Sequence, residues 1–288
     1  MNWQEPQIRK AFGRQDNILE AYQNAHDLRN KQYPLSTDDV TMYDSIVERI
    51  ETSGYIIISN FFTNIEELAE KVDRRFIEGD GTKNSERADD IRHKNNHQII
   101  VDPLYTAPEL AEYVFNDHIL RIAMSYLKCY PALGTLNLRR SFANNVPEEG
   151  VQFYHIDPNS PRFLKFFTYL NDVDDEVDGP FTYIKTSNRT LHEKLYDKHR
   201  IEDSLAKEMY GEENVSYITA KAGDLIIADT TGLHKGSKCK RKDRTMLTIN
   251  YVIHPEEFKP PTFNMRVEDY NNLPDYKKPL CDFLNKKV

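Results

Sequence analysis

The apolar and polar positions in the first half of the chain repeat mostly with the period of α-helices. Residues 36–39 (STDD) form a helix start, and the apolar positions after them recur every three or four residues until Gly54. The run YIIIS at residues 55–59 is β-branched and of strand length, and residues 64–76 (NIEELAEKVDRRF) return to helical spacing. This pattern predicts a mainly helical N-terminal part over residues 1–130, with a short buried strand inside it.

Residues 79–98 are polar and contain glycine, which is typical of a long mobile loop. Two histidines in this segment, His93 and His97, have the i, i+4 spacing that would place two metal ligands on one face of a helix. Two asparagines lie between them and disfavour a helix. The sequence therefore favours a loop near the mouth of an active site over a second metal site.

From about residue 133 the pattern changes to short strands that are separated by turn residues and rich in Phe, Tyr, Ile and Thr. These runs are GTLNLRRSF, VQFYHID, RFLKFFTYLND, GPFTYIKTS, NVSYITA, DLIIAD and TMLTINYVI. Their spacing predicts a β-sandwich or barrel, with residues 188–211 as a helical or long insertion. No linker divides the chain, so we predict a single domain over residues 1–288, mainly β with flanking helices, with a core at 131–256 and a C-terminal extension at 257–288.

Composition and charge narrow the possible partners. The 288 residues are 39% hydrophobic and carry a net charge of -8, which disfavours attraction to nucleic acid or to an anionic membrane. No apolar run is long enough to span a bilayer, and the start MNWQEPQIRK does not have the apolar core of a secretory signal. Cys129, Cys239 and Cys281 form no metal-type or redox-type pair, which suits a reducing compartment. We therefore predict a cytoplasmic protein with a small-molecule substrate; the sequence leaves the oligomeric state open.

Three residues carry the chemistry of a metal site. His155 and Asp157 lie two positions apart in a predicted strand, so their side chains would point to the same face. His234 follows the strand DLIIAD. Two histidines and one carboxylate are the facial triad of non-haem Fe(II) oxygenases, because three protein ligands leave three positions for substrates and O2. The alternative is a solvated pair at a strand end and an ordinary loop histidine.

Charged residues surround the third histidine. Arg244 lies ten residues after His234, at the entry to a strong strand, where an arginine would hold a carboxylate by two parallel hydrogen bonds. It belongs to the basic run HKGSKCKRKDR at residues 234–244, so a solvated charge run competes with this interpretation, and we predict that the lysines of the run are solvated. The acidic run DVDDEVDG has only the composition of a calcium loop, and we predict a solvated turn there.

Taken together, these segments resemble the phytanoyl-CoA dioxygenase-like branch of the Fe(II)- and 2-oxoglutarate-dependent oxygenases. The resemblance rests on SGYIIISNFFTNIEELAEKV, YHID, NDVDDEVDGPFTYIKTSNR and AGDLIIADTTGLHKGSKCKRKDRTMLTINYV, in that order. It implies a double-stranded β-helix, which is a cupin-like jelly roll. It also implies that His155, Asp157 and His234 bind Fe(II), that Arg244 binds the distal carboxylate of 2-oxoglutarate, and that O2 is consumed.

The chain departs from that family at two places. Thr186, Ser187, Asn188 and Arg189 stand where the family often has Gly-Ser-His, and Tyr154 stands where a tryptophan often precedes the first ligand.

The resemblance predicts a hydroxylase that releases succinate and CO2 and acts on a small polar molecule. Four arginines lie beside the strands expected around the iron, namely Arg139, Arg140, Arg162 and Arg189. A buried arginine is costly unless it meets an anion, so we predict that at least one of them contacts an anionic substrate; the alternatives are that all four are solvated or that one assists 2-oxoglutarate. Two other classes remain open: a metal-dependent enzyme that does not use 2-oxoglutarate, and a non-catalytic cupin-like ligand-binding protein.

Overall fold

Two antiparallel β-sheets enclose a cavity, and helices of the N-terminal part pack against the outer face of the larger sheet. The structure is a computed structural model that describes residues 18–157, 162–192, 195, 198–253 and 264–287. The helices are α1 Ile18–Gln32, α2 Thr37–Thr41, α3 Asp44–Ser53, α4 Ile65–Glu78, α5 Ala88–Ile91, α6 Pro103–Thr106, α7 Ala111–Val114, α8 Asp117–Leu127, α9 Asp203–Tyr210 and α10 Val267–Asn272.

The strands form a six-stranded sheet in the order β1-β7-β4-β9-β3-β2 and a three-stranded sheet in the order β6-β5-β8. A separate parallel pair joins β10 to β11. The strands are β1 Tyr55–Ile58, β2 His97–Ile100, β3 Ala132–Ser141, β4 Phe163–Tyr169, β5 Phe181–Ile184, β6 Val215–Ile218, β7 Leu225–Ala228, β8 His234–Gly236, β9 Arg244–Val252, β10 Asn264–Arg266 and β11 Asn285–Lys287.

Strand β9, near the middle of the larger sheet, illustrates how the alternation of side chains builds both the core and the cavity. Leu247, Ile249 and Tyr251 belong to the largest buried cluster, which also contains most of α8. Met246 and Thr248, at the alternate positions, line the cavity between the sheets. The mainly β fold with flanking helices that the sequence predicts is confirmed.

The N-terminal elements agree with the sequence pattern in outline. Ser36 caps α2 in a capping box with Asp39, and Gly54 ends α3 with a φ of 87°. The single helix expected between them is two helices. The strand predicted at 55–59 is an edge strand in which Ile56 alone is buried, so the prediction of a buried strand was wrong for most of its residues.

Two segments differ from their predicted structure. Residues 79–98, predicted to be a long loop, contain α5 and the start of β2, and Thr82 and Asn96 within them are buried. Residues 151–157, predicted to be a strand, form the end of a short 3-10 turn followed by isolated bridges. The local pairing of Tyr154 with Ile201 and of His155 with His234 replaces a continuous ladder.

The C-terminal residues are part of the same core. Leu280, Cys281 and Leu284 are buried together with Met265 of β10 in the largest cluster. The three cysteines are buried and free, as expected for a chain without a disulfide framework. Within the described residues, the helices are all too short or too polar to span a bilayer.

Candidate metal centre

His155, Asp157 and His234 come together at the inner side of the smaller sheet and are called the His-Asp-His cluster below. One potential ligand atom from each lies within 4.8 Å of the others, and among the described residues this is the group with a metal-binding composition. The Nε2 atom of His234 lies 3.1 Å from Oδ2 of Asp157, and Nε2 of His155 lies 4.0 Å from Oδ1. The spacing and donor types suit a divalent transition metal.

Backbone hydrogen bonds hold both imidazole rings in one orientation. The N–H of each histidine donates to the carbonyl of the other at 3.0 Å, which joins the turn before Asp157 to strand β8. The Nδ1 atom of His155 lies 2.9 Å from the carbonyl of Phe153, and Nδ1 of His234 lies 2.9 Å from the carbonyl of Gly232. Since a carbonyl only accepts, Nδ1 is the donor to it in both rings, so Nε2 is the atom that each ring would present to a metal.

Gly232 is required for the second of these contacts. A Cβ atom at this position would lie 2.0 Å from the hydroxyl oxygen of Tyr183. That hydroxyl donates to the carbonyl of Asp229 at 2.7 Å, so Tyr183 is fixed and cannot move aside at low cost. The glycine therefore allows the close packing that presents its carbonyl to His234.

Electrostatics keep two residues of the cluster, His155 and Asp157, in the protonation states that bind metals. Burial and the neighbouring His234 lower the pKa of His155 to about 3, so this imidazole is neutral near pH 7. Burial alone would raise the pKa of Asp157, but the charge of Lys165 and the contact with His234 outweigh it and hold that pKa well below its usual range. Asp157 is therefore a carboxylate.

Lys165 is a member of this site that the sequence did not indicate. It lies on β4, its side chain is 14% exposed, and its Nζ donates to Oδ2 of Asp157 at 2.5 Å. Phe167, two residues along the same strand, also lines the cavity. The sequence alone does not show to which face of the sheet a lysine in an aromatic strand points, because that depends on how the strand pairs with its neighbours.

Arg244 lies at another part of the same cavity and is 3% exposed. Its Nη2 donates to the hydroxyl of Ser141 at 3.1 Å, and its Nη1 donates to the carbonyl of Gly179. Its Nε is buried and has no hydrogen-bond partner among the described residues. The guanidinium is thus oriented by two contacts and retains an unused donor.

The two charged runs of the sequence pair with each other and shape the loop that supports Arg244. Arg241 binds buried Asp178 at 2.6 Å, and Lys242 binds Asp174 at 2.8 Å. Burial would raise the pKa of Asp178, but the hydrogen bond from Arg241 prevails and lowers it to about 2. The next residue, Gly179, has a φ of 71°, and its carbonyl contacts Arg244.

The prediction that the lysines of the basic run and the turn of the acidic run are solvated was therefore wrong for several residues, including the buried Asp178. Lys235 is buried and bound to Asp203 at 2.6 Å. Lys238 donates to the side chain of Asn144 at 2.8 Å.

The cavity that contains the His-Asp-His cluster and Arg244 has a volume of about 480 Å³ and is called the central cavity below. Arg139 on β3 lines it and is paired in register with Met246 of β9. Arg139 makes no hydrogen bond or ion pair with any described residue, and burial followed by repulsion from Arg244 lowers its pKa to about 10. It remains charged at neutral pH.

The other three arginines of the prediction do not line the central cavity. Arg140 binds Asp73 at 2.6 Å and Asp243 at 3.3 Å in a separate pocket. Arg162 binds Glu51 and stacks on Tyr126. Arg189 is exposed.

The fold places His93 and His97 apart from the His-Asp-His cluster. His93 is exposed, whereas His97 lies on β2 and lines a neighbouring pocket of about 250 Å³ that shares Arg139 and Arg244 with the central cavity. Neither belongs to a metal-binding group of described residues.

Ser187 and Asn188, which stand where the phytanoyl-CoA dioxygenase-like pattern often has other residues, form hydrogen bonds within the fold. The hydroxyl of Ser187 accepts from the N–H of Leu233 at 2.7 Å, directly before His234. The amide of Asn188 donates to Asp229 at 3.3 Å. These side chains therefore order the turn that precedes His234.

The chain has the jelly-roll fold of the iron- and 2-oxoglutarate-dependent oxygenases, as comparison with solved structures shows. HygX from Streptomyces hygroscopicus, solved with nickel, 2-oxoglutarate and hygromycin B, matches with a TM-score of 0.54 and 15% identity over 80% of this chain and 91% of that chain. The epimerase SnoN from nogalamycin biosynthesis matches with a TM-score of 0.56 and 13% identity over 74% and 83% of the two chains. EctD from S. alaskensis matches with a TM-score of 0.57 and 17% identity over 78% and 82%.

Sequence comparisons give no closer assignment. No protein-family model matches the chain, and no curated protein matches it. The phytanoyl-CoA dioxygenase-like branch therefore stays a prediction, whereas the jelly-roll fold is established.

Proposed function

We propose that this protein is an Fe(II)- and 2-oxoglutarate-dependent dioxygenase that hydroxylates a small polar, anionic molecule and releases succinate and CO2. The observation that carries the proposal is the convergence of two imidazoles and one carboxylate in a cavity that also contains a buried arginine. The solved structures with this fold that hold a metal and 2-oxoglutarate support it. The phytanoyl-CoA dioxygenase-like branch and a cytoplasmic location belong to the same proposal.

The donor set fits iron. His155, Asp157 and His234 would hold it through two Nε2 atoms and one carboxylate oxygen, because both Nδ1 atoms are occupied by carbonyls. This is the facial triad, which leaves three positions for other ligands. Asp157 argues against halogenation, because a carboxylate stands at the position that related halogenases leave to chloride.

The cavity also fits 2-oxoglutarate. Arg244 would hold its distal carboxylate, since the guanidinium is buried, oriented by Gly179 and Ser141, and has an unpartnered Nε. A dianion in this cavity would meet the positive charges of Arg244 and Lys165, which lowers the cost of its desolvation.

Bound iron would couple the reduction of O2 to the oxidative decarboxylation of 2-oxoglutarate, and would thereby supply the oxidising power to replace a hydrogen atom on a substrate carbon by a hydroxyl group. The chain's own residues position the reactants and exclude water. The apolar side chains of Phe167, Phe181 and Met246 line the cavity and would exclude water from the space around the cluster. Desaturation or ring closure would begin with the same hydrogen abstraction.

Arg139 is the residue that we assign to the substrate. Arg244 would bind the distal carboxylate of 2-oxoglutarate, and Lys165 is paired with Asp157. Arg139 also lines the central cavity and has no hydrogen-bonded anion among the described residues. A carboxylate or phosphate group on the substrate would satisfy it. HygX and SnoN, which share the fold, have been solved with small molecules bound, and a small-molecule substrate is consistent with the size of this cavity.

Formation of succinate tests the main proposal. Purified protein with Fe(II), ascorbate and 2-oxoglutarate is expected to release succinate slowly without its substrate and faster with it. A metal-dependent enzyme of another type would turn over a substrate without consuming 2-oxoglutarate. A cupin-like binding protein would bind ligand and form no succinate, and either result would overturn the proposal.

A library of small molecules, scored by the increase in succinate formation, tests the substrate class. We expect the active compounds to be anionic, and Arg139→Ala to raise their KM tenfold or more while the KM for 2-oxoglutarate stays within threefold, because one charge-assisted interaction contributes about 1.5–3 kcal/mol. Arg189→Ala, at an exposed position, is the matched control. Neutral active compounds, or a change confined to the KM for 2-oxoglutarate, would reject the assignment of Arg139.

A further inference from the structure

Lys165 lines the central cavity and forms an ion pair with Asp157, a residue of the His-Asp-His cluster. Its side chain is 14% exposed and Asp157 is 13% exposed, so the pair is held away from bulk solvent. A lysine at this distance from a metal ligand is electrostatically unfavourable for metal binding, because its charge repels the divalent ion. A compensating function is therefore expected.

The two oxygens of Asp157 have different environments. Oδ2 accepts from Lys165 at 2.5 Å and lies 3.1 Å from Nε2 of His234, whereas Oδ1 accepts no hydrogen bond from a described residue and lies 4.0 Å from Nε2 of His155. A carboxylate with both oxygens free can bind a metal through either one or both. In this site the lysine already occupies one of them.

We infer that Lys165 makes Asp157 a one-oxygen ligand and thereby keeps a coordination position open for 2-oxoglutarate. The inference rests on the proposed function. Three protein donors leave three positions on an octahedral metal, and a carboxylate that binds through both oxygens would take one of the three. The positive charge of Lys165 also favours an anion at the metal, so geometry and charge act in the same direction. Lys165 is a positioning residue, since it acts through Asp157.

This role predicts an unusual combination of effects. Lys165→Met is expected to leave the affinity for the metal unchanged or tighter, because a repelling charge is lost and a second oxygen becomes available. The affinity of the metal-loaded protein for 2-oxoglutarate is expected to fall tenfold or more. A lysine that only held Asp157 in place would produce the reverse, because loss of such outer contacts typically weakens metal binding by about 10–100-fold.

The experiment uses Mn(II), a paramagnetic ion, and counts its bound water molecules by proton relaxation. The unmodified protein is expected to retain about three waters on Mn(II), the number that a facial triad leaves open, and Lys165→Met about two. Titration of Mn(II) and then of 2-oxoglutarate supplies the two dissociation constants. Lys165→Gln is the second variant: its side chain is one bond shorter and leaves Oδ2 beyond hydrogen-bond distance, so the same loss of one water is expected in a better tolerated substitution.

Lys235→Met is the matched control. Lys235 is also buried and bound to an aspartate, Asp203, but it does not line the central cavity. It is expected to lower thermal stability and to leave the water count and both dissociation constants within twofold. An unchanged water count in the Lys165 variants, or a tenfold weaker affinity for Mn(II), would overturn the inference. If the unmodified protein binds Mn(II) but not 2-oxoglutarate, the proposed function fails, and the water count alone decides the role of Lys165.

Discussion

Replacement of Arg244 by lysine separates recognition of 2-oxoglutarate from metal binding. The guanidinium is fixed by the carbonyl of Gly179 and the hydroxyl of Ser141, and it keeps a buried Nε without a partner. A lysine has a single nitrogen at the end of its side chain, so it cannot contact both supports and also offer two parallel hydrogen bonds to a carboxylate. We expect Arg244→Lys to keep the charge and lose the second hydrogen bond.

The expected magnitude follows from that loss. A hydrogen bond to a charged group contributes about 1.5–3 kcal/mol, which corresponds to a rise of about 10–150-fold in the dissociation constant of 2-oxoglutarate. The affinity for Fe(II) should change less than threefold, since Arg244 does not contact the His-Asp-His cluster. An anaerobic titration that follows the charge-transfer absorbance of the Fe(II)–2-oxoglutarate complex measures both quantities.

Arg162→Lys is the control for this substitution, because Arg162 is partly buried and donates to the carbonyl of Tyr126 outside the central cavity. It should leave the titration within twofold of the unmodified protein. If Arg244→Lys binds 2-oxoglutarate within threefold of the unmodified protein while it remains folded, Arg244 is not the carboxylate ligand. Loss of Fe(II) binding in this variant would show that the arginine supports the fold of the site instead.

The remaining predictions concern the metal, the product and the supporting loop. His155→Ala, Asp157→Ala and His234→Ala should each abolish the charge-transfer absorbance and Fe(II)-dependent succinate formation, and full activity in any one variant would reject that residue as a ligand. The product formed by the unmodified protein should contain one oxygen more or two hydrogens fewer than the substrate, and a chlorinated product in the presence of chloride would contradict the role given to Asp157. Because the folded-state pKa of Asp178 is lowered to about 2, its contribution to stability is present above about pH 4 and is lost as the pH falls toward 2. Thermal melts across this range should therefore show Asp178→Asn to be destabilised near neutral pH and to converge with the unmodified protein near pH 2; a constant difference would refute the assignment.

Much of the site was predictable because its residues lie at strand boundaries that the sequence marks clearly. His234 follows the apolar run of β7, and Arg244 begins β9. Both residues could therefore be identified from the local sequence pattern together with the family resemblance. The expectation that His155 and Asp157 share one face of a strand was wrong in its geometry, because this segment is a turn with isolated bridges. The bridge between His155 and His234 brings the ligands together instead.

Lys165 and the paired charged runs were not predictable from the sequence. Lys165 stands among aromatic residues in β4, and only the register with β9 and β7 defines the face to which it points. The contact between Arg241 and Asp178 joins residues that are distant in sequence, and a solvated loop and an ion-paired loop have the same composition. The long-range pairings of a β-fold carry no local signal.

The order of strands in the larger sheet has consequences for folding during synthesis and for truncation of the chain. Both outermost strands, β1 and β2, come from the N-terminal part that the sequence separates from the jelly-roll core. Strand β1 is synthesised early but pairs with β7, which lies in the second half of the chain, so the sheet is closed at that side only late in folding. A fragment that begins at residue 131 would expose the backbone of β7 and β3 as open edges, and such edges recruit other chains. The helical N-terminal part therefore protects the protein from aggregation as well as covering its core.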